Sequence, residues 1–156
     1  MIEHLFTGLL LFFPHFPMRP CVTRRQPEIT QVLTIAQERY GVPPPLFLSV
    51  GFHETHLGCD SNEGGGWGAP INRRNRHVAG TPLQAARVLA RGWLHCRSWM
   101  GAARYFNTGM CDERHDRRRY GPRILRLAQI IEARAGTRFE WGEAHLPTES
   151  ETLARR

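Results

Sequence analysis

Apolar residues recur at intervals of three and four along most of this chain, and no stretch alternates strictly enough to predict a strand. Ile29, Val32, Leu33, Ala36 and Tyr40 share one helical face, which predicts a helix over residues 27–40 with Pro27 in its first turn and Gly41 beyond its end. A second helix starts within Pro43, Pro44 and Pro45 and runs to about Leu57. Thr81, Pro82, Leu83 and Gln84 form a capping box with proline at the first helical position, opening a third helix that reaches about Cys96. A shorter helix over residues 99–106 stops at Asn107, Thr108 and Gly109, which read as a turn. The last, over residues 122–135, carries Ile124, Leu127, Ala128, Ile131 and Ala135 on one face and is ended by Gly136. Five helices without a strand predict an all-α fold. Between the second and third lies a loop of 23 residues, 58–80, that holds Gly64, Gly65, Gly66 and Gly68. A loop that long in a small domain is either functional or disordered. Trp67 and Pro70 in its middle argue against disorder.

One position breaks the pattern. On the second helix Phe47, Val50, Gly51, Glu54 and Leu57 fall on a common stripe, and Glu54 is the only member that is neither apolar nor tiny. A carboxyl group turned toward a core is costly unless neutral or paired, and such groups often serve as acids with raised pKa values. Gly51, one turn earlier, costs a helix roughly 1 kcal/mol relative to alanine. It makes sense where something must approach the backbone closely. The alternative for Glu54 is a carboxylate at a helix C-terminus bridging to a buried arginine.

Length, charge and cysteines narrow the setting. At 156 residues the chain can bury one core, and 41% hydrophobic with 22% charged residues is a globular composition. The net charge of +7 rests on 21 arginines, since lysine is absent altogether. Such a surface suits an anionic polymer. Clusters at Arg73, Arg74, Arg76 and at Arg117, Arg118, Arg119 read first as solvated surface. No nucleic-acid recognition motif accompanies them, so no nucleic-acid partner is expected. The apolar run over residues 5–13 is too short to span a bilayer and is broken by Pro14 and Pro17. It is leader-like, though without a basic start or a small-x-small cleavage site. A packed N-terminal segment is the alternative for residues 1–20. Stable membrane insertion is not expected, and an exported, monomeric protein is. Cys21, Cys59, Cys96 and Cys111 predict disulfides in one of three pairings. A structural zinc held by His56, Cys59, Cys96 and Cys111 would also have permissible ligand types. His53 and His56 flank Glu54 with the wrong spacing for a zinc-peptidase helix, so neither a catalytic metal nor a cofactor is predicted.

Read in order, the chain has an amphipathic helix, then Gly41, Val42 and Pro43, then an apolar helix ending in Glu54 and Thr55. A Gly-rich loop, a helix, the run Tyr105, Phe106, Asn107, Thr108, Gly109 and a helix entered through Tyr120 and Gly121 follow. This order resembles the soluble lytic transglycosylases, relatives of goose-type lysozyme that cut the glycan strands of peptidoglycan. The resemblance spans roughly residues 29–135. It implies a lysozyme-like single domain over residues 21–141; beyond Trp141 the chain is polar and acidic, then basic, so 142–156 is expected to be a flexible tail. It also implies that Glu54 is the catalytic acid, matching the glutamate of a Glu-Ser pair with Thr55 in the serine slot. Phe106, Asn107, Thr108 and Gly109 match a "Tyr-Asn-x-Gly" motif that lines the cleft, with Tyr105 one position earlier. The family's "Gly-x-x-Gly-Leu-Met-Gln" segment is met only by Gly65, Gly66, Trp67, Gly68, Ala69, Pro70, Ile71, so its glutamine is missing.

The implied chemistry is scission of the MurNAc-GlcNAc bond by one carboxyl group that holds its proton at rest, giving a 1,6-anhydro product. Thr55, Trp67, Tyr105, Phe106 and Asn107 would shape the sugar site, Trp67 by stacking on a sugar face. Core packing is the alternative for Trp67, and a helix end for Asn107. Two other outcomes stay open. One is a muramidase-type hydrolase using Asp60, Glu63 or Asp112 as second carboxylate; the other is a non-catalytic peptidoglycan-binding module of the same fold.

Overall fold

Helices supply all the regular structure in residues 1–60, 66–69 and 80–147, which are those described by the computed structural model. They are α1 (Ile2–Phe12), α2 (Arg19–Arg24), α3 (Gln26–Tyr40), α4 (Pro44–Thr55), α5 (Pro82–Cys96), α6 (Trp99–Thr108) and α7 (Tyr120–Ala135). The protein is all-α, as the periodicity predicts. Helix α7 is the hub, with α1, α4 and α6 packed against it, while α5 pairs with α6 and α3.

Local chemistry accounts for the helix ends. The capping box at α5 forms in both directions, Gln84 N–H donating to Thr81 Oγ1 at 3.3 Å and Thr81 N–H to Gln84 Oε1 at 2.8 Å. Helix α6 opens on Ser98, whose hydroxyl accepts from Gly101 N–H, and continues two residues beyond the expected stop to a left-handed Gly109. Asn107 therefore lies inside the helix's last turn. Helix α7 begins two residues before the expected Pro122, because the buried Asp116 accepts from the N–H groups of Tyr120 (2.6 Å) and Gly121 (2.9 Å). A carboxylate at a helix N-terminus satisfies unpaired donors and the dipole together.

The leader-like run proves to be a core element. In α1 Leu5, Phe6 and Leu9 are buried, and Gly8 lies against the Ile131 carbonyl and Ala135 of α7 so closely that no side chain would fit. The expected loose tail also needs correction as far as Pro147. Trp99 Nε1 donates to the Gly142 carbonyl, His145 N–H to that of Tyr40, and Ala144 is buried. These contacts give the backbone after Trp141 partners that a solvated tail would lack. Residues 148–156 lie outside the described set, as do Glu63, Pro70, Ile71 and the Arg73, Arg74, Arg76 cluster.

All four cysteines are paired, Cys21 with Cys59 and Cys96 with Cys111, which removes the zinc reading. Two bridges fit an oxidising compartment. No helix among the described residues is long and apolar enough to cross a membrane.

Candidate active site

Helix α4 has no wet face over most of its length. Every residue from Pro44 to Phe52 is buried, and Ser49, the polar one, turns its hydroxyl back onto the Pro45 carbonyl at 2.8 Å. Apolar character all round is the mark of a central helix. The expected stripe is thus part of a fully enclosed cylinder, and Glu54 sits where that cylinder emerges, its side chain 26% exposed.

The turn behind Glu54 is fastened from several sides. His56 N–H donates to the Phe52 carbonyl and Leu57 N–H to that of Gly51, a left-handed ending with His56, Leu57 and Gly58 all at positive φ. Thr55 is buried, its hydroxyl accepting from Gly58 N–H at 2.9 Å while its carbonyl accepts from Asp60 N–H. Arg25, forked onto Glu28, also donates to the Leu57 carbonyl at 2.9 Å, and the Cys21–Cys59 bridge ties the turn to α2. Thr55 therefore acts as a clamp on this turn. Its assignment to sugar binding is corrected, since a buried, bonded hydroxyl has nothing to offer a ligand.

Trp67 is corrected too. A left-handed turn through Trp67 (φ 52°) and Gly68 (φ 78°) drives the indole inward, where it is 1% exposed and packs on Phe47 with ring centroids 4.8 Å apart. The surface of Gly51 is what admits it. A Cβ there would lie 2.5 Å from indole carbons and 2.9 Å from a Leu57 methyl. Gly51 is needed because an indole approaches the helix, so the core alternative holds for Trp67. We expect Gly51→Ala to destabilise the protein by about 1–2 kcal/mol in urea unfolding, overpacking outweighing the gain in helix propensity. A variant as stable as the parent would contradict this packing.

The same turn lays Gly68 on the carboxyl group: a Cβ at Gly68 would be 2.7 Å from Glu54 Cγ and 3.0 Å from Oε2. On the other side stand His53, with Nδ1 3.7 Å from Glu54 Oε1, and Tyr120. The Tyr120 hydroxyl is buried, has no partner at strict hydrogen-bonding distance, and still lies near enough to Glu54 for each to shift the other's proton affinity. Burial first, then the Glu54 charge, pushes the phenol far above the ordinary tyrosine range. The ring is held edge-on to His53 at 5.2 Å and stacked on Phe106 at 6.4 Å.

For Glu54 the largest single influence is burial, which raises its pKa. The polar groups of His53 first and Tyr120 second together outweigh it, so the pKa lies below the ordinary 4.5. The expectation of a proton held at rest is therefore corrected: unliganded Glu54 is a carboxylate at neutral pH. A lowered pKa contributes stability above the ordinary value that is lost as pH falls through the folded one. Tyr120→Phe should shift the Glu54 midpoint upward in a carboxyl-carbon NMR titration; the unmutated midpoint should fall below 4.5. A native midpoint at or above that value would refute the balance described.

Of the residues expected at the site, Glu54 and Phe106 come together through Tyr120. Tyr105 points elsewhere, toward His95 and Gly92 of α5. Asn107 is exposed in the last turn of α6, and its side chain makes no hydrogen bond among the described residues. As for a second carboxylate, Asp112 is exposed and bonded to His115, and Asp60 follows the clamped turn beside His56. No group of three or more metal-ligating side chains occurs among the described residues. Sequence reasoning missed Tyr120, His53 and Gly68. The signal for Tyr120 was its place beside Gly121 at the start of the last helix, and for Gly68 the turn that a glycine-rich loop must make.

Comparison with protein-family models, curated proteins and solved structures returned no match. The chemistry is accordingly read from the site itself.

Proposed function

We propose that this protein is a lytic transglycosylase acting as a monomer on the glycan strands of peptidoglycan, outside the cytoplasm, with Glu54 as acid and then base. The observation that carries the reading is a partly buried carboxyl group on a rigid turn, roofed by a glycine and flanked by a buried phenol. A sugar laid over Glu54 would displace the remaining water. Desolvation, already the largest influence on this group, would then grow and favour proton uptake as substrate binds. The Glu54 carboxyl gives its proton to the glycosidic oxygen as the bond from C1 breaks. The resulting carboxylate takes the proton of the C6 hydroxyl of the same muramic acid, whose oxygen closes onto C1. No water is consumed, and one carboxyl group suffices. Tyr120 orients Glu54 and Phe106 backs the phenol; the lysozyme-like arrangement of the helices belongs to the same proposal.

Product analysis tests this. Mass spectrometry of digested peptidoglycan should find 1,6-anhydro ends. Reducing ends would instead assign a muramidase-type hydrolase, and an intact polymer a binding module.

A further inference from the structure

The sequence around the start of α7 is charged beyond what its fold uses. Residues 112–126 hold six arginines, Arg114, Arg117, Arg118, Arg119, Arg123 and Arg126, against Asp112, Glu113 and Asp116. All six are exposed. Two of the three acids are committed elsewhere: Asp116 is buried under the helix start beside Arg104, and Asp112 accepts from His115. Among the described residues none of the six arginines has an ion-pair partner. Their mutual repulsion is held in place by a fixed backbone. The Cys96–Cys111 bridge anchors the segment's start, the Asp116 bonds anchor its end, and Arg119 takes a left-handed conformation (φ 54°) directly before Tyr120. A crowd of like charges in a pinned segment, with no ion-pair partner among the described residues, points to a partner outside the chain.

We propose that this arginine surface binds the carboxylates of the peptides carried on the glycan strand. The inference rests on the reading of Glu54 given above. Two observations select this ligand. Guanidinium forks take carboxylates in paired hydrogen bonds, and six of them are concentrated here. The surface also adjoins the site along the chain, because Arg119 directly precedes Tyr120, whose ring packs on His53 beside Glu54 with centroids 5.2 Å apart. In peptidoglycan the peptide hangs from the muramic acid whose C1 bond would be cut, so its carboxylates are presented beside the reacting centre. The arginines would then fix the register of the strand over Glu54.

The experiment uses Glu54→Gln protein, so that binding is read without cutting. Pelleting with purified sacculi is compared between this protein and a form that also carries Arg117→Glu and Arg118→Glu, with Arg117→Lys and Arg118→Lys as the charge-conserving control. Matching thermal melts establish that all are folded. The reversal should weaken binding about 10-fold or more and flatten its salt dependence by roughly one to two counterions. Glycan strands stripped of their peptides should be bound equally by all forms. Unchanged binding to sacculi, or equal loss on stripped strands, would overturn the proposal. So would tighter, salt-sensitive binding of duplex DNA that the same reversal removes, which would assign the surface to nucleic acid. Cleavage by the unmutated chain is measured separately, so either reading can fail without the other.

Discussion

A chain lacking residues 2–13 should not fold. That segment contributes Leu5, Phe6 and Leu9 to the core, each fully or almost fully buried. At about 1.5–3 kcal/mol per side chain the loss is roughly 4.5–9 kcal/mol, reduced somewhat because an unfolded chain is itself partly compact. Domains of this size are stable by only about 5–15 kcal/mol, so the deletion consumes most of the margin. It also bares the surface of α7 on which α1 lies. Far-UV circular dichroism should show loss of the cooperative melt. A milder form isolates the contact: Gly8→Leu forces a side chain between α1 and the Ile131 carbonyl and should lower the melting temperature without removing the helix. A cooperative melt near the parent's in the truncated chain would show that α1 is dispensable.

Glu54→Gln should reduce glycan cleavage by about 10² or more, equivalent to roughly 2.7 kcal/mol of lost transition-state stabilisation. The amide keeps the size of the side chain under Gly68 but can neither deliver nor retrieve the proton. Wall binding should persist, because the Gly68 contact with this side chain and the stacking of Phe106 on Tyr120 do not depend on its charge. The substitution should also remove the loss of stability that accompanies protonation of this group in acid, since the folded pKa lies below the ordinary one. Turnover within a factor of 10 of the parent would exclude Glu54 as the proton carrier.

What the sequence disclosed depended on whether the responsible contacts were local. The Thr81–Gln84 box and the glycines after α3, α6 and α7 are neighbours along the chain, and those helices are found near where their residues indicate. Gly51 was legible as a close approach because glycine inside a helix needs a reason; its partner Trp67 was not, because the approach comes from a turn sixteen positions later. Helix α1 was masked by its own composition: a short run of leucine and phenylalanine reads alike as a leader or as a buried helix, and its packing on α7 through Gly8 is a contact with residues more than a hundred positions away. The role of Thr55 was hidden for a similar reason. A hydroxyl beside an acid reads as a ligand group until the three-residue left-handed turn that it clamps is seen. The resting charge of Glu54 depends first on His53, its neighbour in sequence, and then on Tyr120, sixty-six residues away, which no local reading could bring to it.

The enclosure of α4 has a last consequence for how this molecule breathes. A helix without a solvent-facing side cannot fray outward; its amides reach water only when neighbouring helices part as well, which makes it a reporter of global opening. Glu54 is rooted at the end of that element. Fluctuations that loosen surface segments would leave the acid's position untouched, so the geometry on which proton transfer depends should persist until the whole structure gives way.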